Sequence, residues 1–476
     1  MKKFLIISSL AIFVLFTAYL ILKGNNISRY ISYMGPSIPP KIKTFLKDNI
    51  LVFNKIEDQN EIINKQKEKI DQFSLSTESK FRRNNLKILF NQIADNKNFK
   101  ISNNEFNLKK FSTSSIITGK WEVTGGSFYL EKFNNNVIIV SATGIISHNK
   151  LDFYDKKYSN FTSIKSNLEE LITDPEFYVH SPFGIKDILI KDEYLYVSYT
   201  HLLKKNCYNT SVLRAKMNLN NLFFENYFIP NKCVKMNNVY GQFSAHQSGG
   251  RMAIFKDNRI ILTVGDYGFR DHSQNTNDTT FGKTILISLN GEDYDVLSKG
   301  HRNHQGLYYD KNRNIIYMTE HGPQGGDEIN INYLNSNKLK NYGWPISSYG
   351  EHYGFKERDD SHPYYKKAPL YKSHSKYGFE EPIKYFIPSI GISQTILIDK
   401  NIYGENYYLI FGSLGNKIEE GDMSAHFLTL DEKDTILDHE IIKLNERVRD
   451  ILKVNNGDIL LFSLETSSSI GVMKKL

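Results

Sequence analysis

"LYYDKNRNIIYMT", Leu307 to Thr319, holds an apolar run, a cluster of Asp, Lys, Asn and Arg, and a second apolar run. That is the pattern of a β-hairpin: aromatic and β-branched residues suit pleated strands, and Asn and Asp suit a tight turn. The pattern recurs in "YLEKFNNNVIIVSA" from Tyr129, "ILIKDEYLYVSY" from Ile188, "MAIFKDNRIILTV" from Met252, "ILIDKNIYGENYYLIFGS" from Ile396 and "ILKVNNGDILLFS" from Ile451. Six recurrences at similar, uneven spacing imply one supersecondary unit used repeatedly. The expected fold is all-β, a six-bladed β-propeller over residues 111–476, because radial closure protects the sheet edges. A β-sandwich is the alternative, and it requires no such recurrence. In a propeller, ligands meet the loops at one end of the central channel, so residues distant in sequence can converge there.

The chain has 476 residues, 24% charged and 13% aromatic, which fits a folded protein and excludes a disordered one. The net charge is +8, with basic residues scattered among acids; a nucleic-acid partner is not expected. At the N-terminus, Lys2 and Lys3 precede an uncharged apolar run from Phe4 to Leu22, long enough to cross a bilayer as a helix. The expectation is a signal anchor over residues 1–23. It would hold a periplasmic domain in the inner membrane of the cell envelope; a cleaved signal peptide is the alternative. Residues 24–110 read as a linker, "MGPSIPP", followed by a helical spacer. In that spacer, Ile42, Leu46, Phe53, Ile56, Ile63 and Ile70 fit a polar-interrupted heptad seam, and 79–95 fit a second helix. The two cysteines, Cys207 and Cys233, lie in one short region and are expected to pair in an oxidising compartment.

Four polar stretches carry the chemistry. "SAHQSGGRM" offers His246, a group able to take a proton near neutral pH, beside glycines that allow close backbone approach. "HRNHQG" offers the rigid donor fork of Arg302 with Asn303 and Gln305. "EHGPQGGDEININ" has Gly322 and Pro323, whose carbonyls can turn toward a hard cation, with Asp327 and Glu328 nearby. In "NERVRDILKV", Arg447 and Arg449 alternate with Val448, so in a strand both point to one face and suit a polycarboxylate. Taken singly, each stretch also reads as a hydrogen-bonded loop or an exposed edge.

In order, "HQSGGRM", "GHRNHQGL", "EHGPQGGDEIN", "NYGWP" and "ERVRD" resemble the glucose/sorbosone dehydrogenases, soluble quinoproteins that use pyrroloquinoline quinone. The resemblance runs from about Gly241 to Ser463 and is densest from Gly300 to Pro345. It implies a six-bladed propeller and hydride transfer from a sugar or related alcohol to a calcium-bound quinone. Matched by motif, His246 would be the general base and Arg302 would stabilise charge on the quinone oxygen. Asn303 and Gln305 would lie beside cofactor or sugar, Arg447 and Arg449 would bind the cofactor carboxylates, and the carbonyls of Gly322 and Pro323 would hold calcium. The implied partners are a sugar or polyol substrate, an electron acceptor, and the membrane through the N-terminal helix.

Two departures stand out. Ala245 occupies the position of an acid that precedes the base in glucose-oxidising members. Gly415, in "GSLGNK", occupies the position of a lysine that faces the cofactor, with Lys417 two residues on. The missing lysine favours an alternative, a redox-inactive propeller that serves as a binding or scaffolding module. A calcium-dependent lactonase would need a cluster of side-chain metal ligands that the sequence does not display.

Overall fold

All six apolar–turn–apolar segments form antiparallel hairpins in the computed structural model, which describes residues 88–113, 126–178, 180–237, 242–275, 278–335, 338–353 and 363–476. Their turns explain their composition. Asn134, Asp192, Asn258, Asn314, Asn401, Asn455 and Asn456 all sit at positive φ, a region that Asn and Asp enter at least cost among residues with a Cβ.

Each hairpin opens on an innermost strand: Phe128–Phe133, Ile185–Lys191, Gly249–Ile254, His304–Asp310, Ile392–Ile398 and Val448–Val454. Each of these contacts the next in that order, and the last returns to contact the first, so the six close a ring. Further strands extend each hairpin outward, antiparallel except for the short strand Lys340–Asn341, which pairs parallel with Tyr294–Lys299. The apolar core lies between neighbouring sheets. Leu189, Tyr196 and Val212 of one sheet, for example, pack with Met252, Leu262 and Ile285 of the next, and Leu307 and Ile316 pack with Ile261 and Leu286.

The ring is joined where the chain ends meet. Strand Asn104–Ser112 pairs with Ser469–Lys475, from Phe106 opposite Lys475 to Ser112 opposite Ser469. Strand Ile88–Ile101 pairs with Asn104–Ser112 and with Tyr158–Ser163, so the first and last hairpins belong to one nine-stranded sheet. The helix expected over 79–95 is therefore strand from Ile88 onward, and the helical spacer does not extend to residue 110. Burial shows the reason: Ile88 and Phe90 are fully buried while Leu89 is 41% exposed, the two-residue alternation of a half-covered sheet. The heptad seam over 41–73 lies outside the described residues.

The membrane expectation is corrected. Among the described residues no helix is long and apolar enough to cross a membrane, and the apolar run 4–22 lies outside the described residues. The uncleaved anchor, and with it the envelope and inner-membrane location, has no support in this fold. Cys207 and Cys233 are bridged, with Cα atoms 5.4 Å apart. The bridge ties the start of strand Cys207–Lys216 to the segment before Val234–Lys235, which pairs with that same strand.

Candidate active site

A cavity of about 470 Å³ opens at the end of the ring where the innermost strands begin. His246, Arg302, Asn303, Gln305, Gly322, Arg447 and Arg449 all line it. Of the eight residues given roles by the motif match, only Pro323 is absent from the lining; it is buried beside Gly322. The convergence has a simple origin. Gln305 and Arg449 are second residues of their innermost strands, Arg302 and Asn303 immediately precede such a strand, and His246 lies in the short 3₁₀ turn Ala245–Gln247 before another.

The arginine pair is held by one buried carboxylate. Glu465, 1% exposed, accepts from Arg449 Nε at 2.6 Å and from Arg447 Nε at 3.4 Å. Burial alone would raise its pKa, but the two guanidiniums outweigh burial and hold it down at about 2. Arg447 also donates to the carbonyl of Leu414, and Arg449 Nη1 donates to Gln305 Oε1 at 3.2 Å. Gln305 in turn donates to Asn303 Oδ1 at 3.0 Å; the Asn303 amide donates to the His246 carbonyl at 3.1 Å, and its Oδ1 accepts the Gly249 N–H at 3.2 Å. Arg449 is thereby connected to the turn that carries His246 through fixed amides, which restricts the placement of both.

Below this layer, Arg251 is 2% exposed and bridges Asp187 at 3.0 Å and Asp450 at 2.9 Å. Its Nε and Nη2 donate to the carbonyls of Gln305 and Arg449 at 2.9 and 2.7 Å. Arg302 is fixed from both sides. Its backbone N–H donates to buried Glu320, its Nη1 donates to the His321 carbonyl at 3.0 Å, and its guanidinium lies 5.5 Å from the Trp344 ring.

The His246 ring is open to the cavity but has dense protein around it. Burial, then the charges of Lys186 and Arg449, push its pKa down to about 4, so at neutral pH it is an uncharged proton acceptor. Asp327 sets the loop after strand Ile315–Glu320: it accepts from the Gly322 N–H at 3.1 Å, Ser389 Oγ at 2.9 Å and the Ile392 N–H at 2.9 Å.

Sequence reasoning missed Tyr129, Lys186 and His321, which also line the cavity. It also raised Lys417 as a replacement for the lysine absent at Gly415, and the structure does not support this. Lys417 pairs with Glu420 at 2.9 Å with its side chain 63% exposed, and it is not among the cavity-lining residues. A side chain at Gly415 would also require Asp422 to move, because a Cβ there would come within 2.1 Å of its carboxylate.

Comparisons with known proteins give the family and the fold. The family model described as Glucose / Sorbosone dehydrogenase matches residues 155–471, starting well before the motif-dense region. Aldose sugar dehydrogenase YliI of Escherichia coli is 24% identical over 320 residues, 62% of this chain and 78% of that protein. Quinoprotein glucose dehydrogenase B of Acinetobacter calcoaceticus is 31% identical over 140 residues, 23% of this chain and 28% of that protein. Another curated relative is matched over 54% of its own length. Among solved structures, the soluble aldose sugar dehydrogenase of Escherichia coli in its apo form superposes with a TM-score of 0.57 at 20% identity, over 78% of this chain and 99% of that one. That likeness shows a shared fold. With a family match over two thirds of its length, the chain belongs to the glucose / sorbosone dehydrogenase family of oxidoreductases.

Proposed function

We propose that the protein is a six-bladed β-propeller that oxidises a sugar or related alcohol, using pyrroloquinoline quinone and calcium. The observation that carries the reading is the one cavity onto which His246, Arg302, Asn303, Gln305, Arg447 and Arg449 converge from three separate segments of the chain. The closed ring of six innermost strands supports the blade count, and the family supports the reaction class.

The residues present fit both absent groups. Two guanidiniums share one carboxylate, Glu465, and so retain net positive charge for an anionic ligand. The turn at Gly322 is rich in oxygen: a Cβ there would meet the carbonyl oxygens of Gly326 at 2.2 Å and Gly325 at 2.6 Å. Oxygen donors are what calcium takes, and the carbonyls of Gly322 and Pro323 would hold it. When bound, the quinone supplies a hydride acceptor and the cation polarises its carbonyl. Neutral His246 takes the hydroxyl proton of the substrate on an imidazole nitrogen. Arg302, already fixed by Glu320 and the His321 carbonyl, meets developing negative charge without having to reorganise. Arg447 and Arg449 hold carboxylates, and Asn303 and Gln305 keep the two halves of the site in register.

The test is reconstitution with calcium and pyrroloquinoline quinone, followed by a dye-reduction screen across aldoses and polyols. Quinone-dependent and calcium-dependent reduction with at least one sugar is expected. A holoprotein that reduces dye with none of them would contradict the reaction and favour the binding module.

A further inference from the structure

The segments "IKDIL" at Ile185–Leu189 and "VRDIL" at Val448–Leu452 begin two of the six innermost strands. The structure treats them as equivalents. Asp187 and Asp450 both accept from Nη1 of Arg251, at 3.0 and 2.9 Å. Each also uses its second oxygen to accept a backbone N–H from the next innermost strand, Met252 for Asp187 and Leu130 for Asp450, both at 2.8 Å. Immediately before each aspartate the ladder slips by one residue. Ile185 and Asp187 face consecutive partners, Tyr199 and Ser198, leaving Lys186 as the extra residue; Val448 and Asp450 face Leu464 and Ser463, leaving Arg449. The slip recurs at Gln305, between His304 and Gly306. A one-residue bulge re-aims a side chain, and all three of these side chains line the cavity.

From this equivalence we infer that Lys186 is a further cofactor-binding residue, an ammonium that meets an oxyanion of the bound quinone and supplies the cation that Gly415 cannot. The inference rests on the quinone-dehydrogenase reading above.

Three observations support it. The Lys186 ammonium donates to two backbone carbonyls, Ser181 at 3.0 Å and Pro182 at 2.6 Å. Among the described residues no carboxylate lies within ion-pair distance of it, so its charge awaits a counter-ion. Its stem passes over Gly250, where a Cβ would come within 2.3 Å of Lys186 Cβ, so the neighbouring strand leaves room for this lysine through a glycine at φ +109°. Burial, then the charge of Arg449, pushes its pKa down to about 7, the direction expected where no anion faces the ammonium.

Isothermal titration calorimetry of pyrroloquinoline quinone into the calcium-loaded protein provides the test, with a melting curve for each variant. Lys186→Met is expected to weaken binding about tenfold or more, as loss of a charge-assisted contact does. Lys186→Arg, which keeps the charge, should stay within about threefold of wild type. Lys417→Met should bind like wild type. If Lys186→Met does not fold, Lys186→Gln takes its place with the same expected loss. Wild-type affinity in a folded neutral variant overturns the role of Lys186 and leaves the dehydrogenase reading standing. Absence of binding by the wild type overturns both.

Discussion

Replacing Glu465 by glutamine removes the only carboxylate that pairs with Arg447 and Arg449 among the described residues, and does so without changing shape. The carboxyl is 1% exposed, so solvent screening does not weaken the interaction. A depression from the ordinary 4.5 to about 2 corresponds to about 3 kcal/mol of stability at neutral pH. Removing one partner of a buried pair costs about 3–5 kcal/mol, an upper bound here because the two arginine side chains are partly exposed to the cavity. Because the folded-state value is depressed, this stability is present above pH 4.5 and is lost as pH falls through about 2. Urea unfolding of both proteins across acid to neutral pH is the assay. Glu465→Gln should unfold at clearly lower urea at pH 7, and the gap to wild type should narrow toward pH 2. Equal midpoints at pH 7, or a gap that does not change with pH, would refute the claim that this carboxylate holds the arginine pair.

His246→Ala should lower turnover by about 10²–10⁴-fold while leaving quinone affinity near wild type. Arg447→Ala should mainly weaken cofactor retention, with part of the activity rescued by excess quinone; steady-state kinetics with a quinone titration separates the two. Because burial and the charges of Lys186 and Arg449 lower His246 to about 4, the acid limb of kcat/KM in the pH profile should fall near there and not near 6.5. A chain that begins at residue 113 lacks both Ile88–Ile101 and Asn104–Ser112. It should expose the edge of Ser469–Lys475 and aggregate, as size-exclusion chromatography would show.

The hairpins were legible because their signals are local. A turn needing positive φ selects Asn or Asp on the spot, and the flanking strands declare themselves by composition. Closure of the ring was not legible. Ile88 and Phe90 alternate over too few residues to prevail against a helical spacing that adds Leu86 and Ile93, and their strand is fixed by partners at Tyr158–Ser163 and, through its neighbour, at the C-terminus. The site divides the same way. Arg302, Asn303 and the paired Arg447 and Arg449 lie in dense polar motifs that point to themselves. Lys186 sits beside Asp187 in an ordinary strand with no dense polar motif around it, and it acquires meaning only from a bulge and a register shared with Arg449. Lys417 shows the reverse: closeness in sequence to Gly415 suggested a replacement, but the turn carries its ammonium to Glu420.

The central claim is that this cavity binds pyrroloquinoline quinone with calcium, and the most direct measurement is a titration of the purified wild-type protein followed by visible absorbance, with and without a calcium chelator. The account predicts a saturable spectral change near one quinone per chain, lost when calcium is removed. No spectral change at high micromolar quinone with calcium present would contradict it.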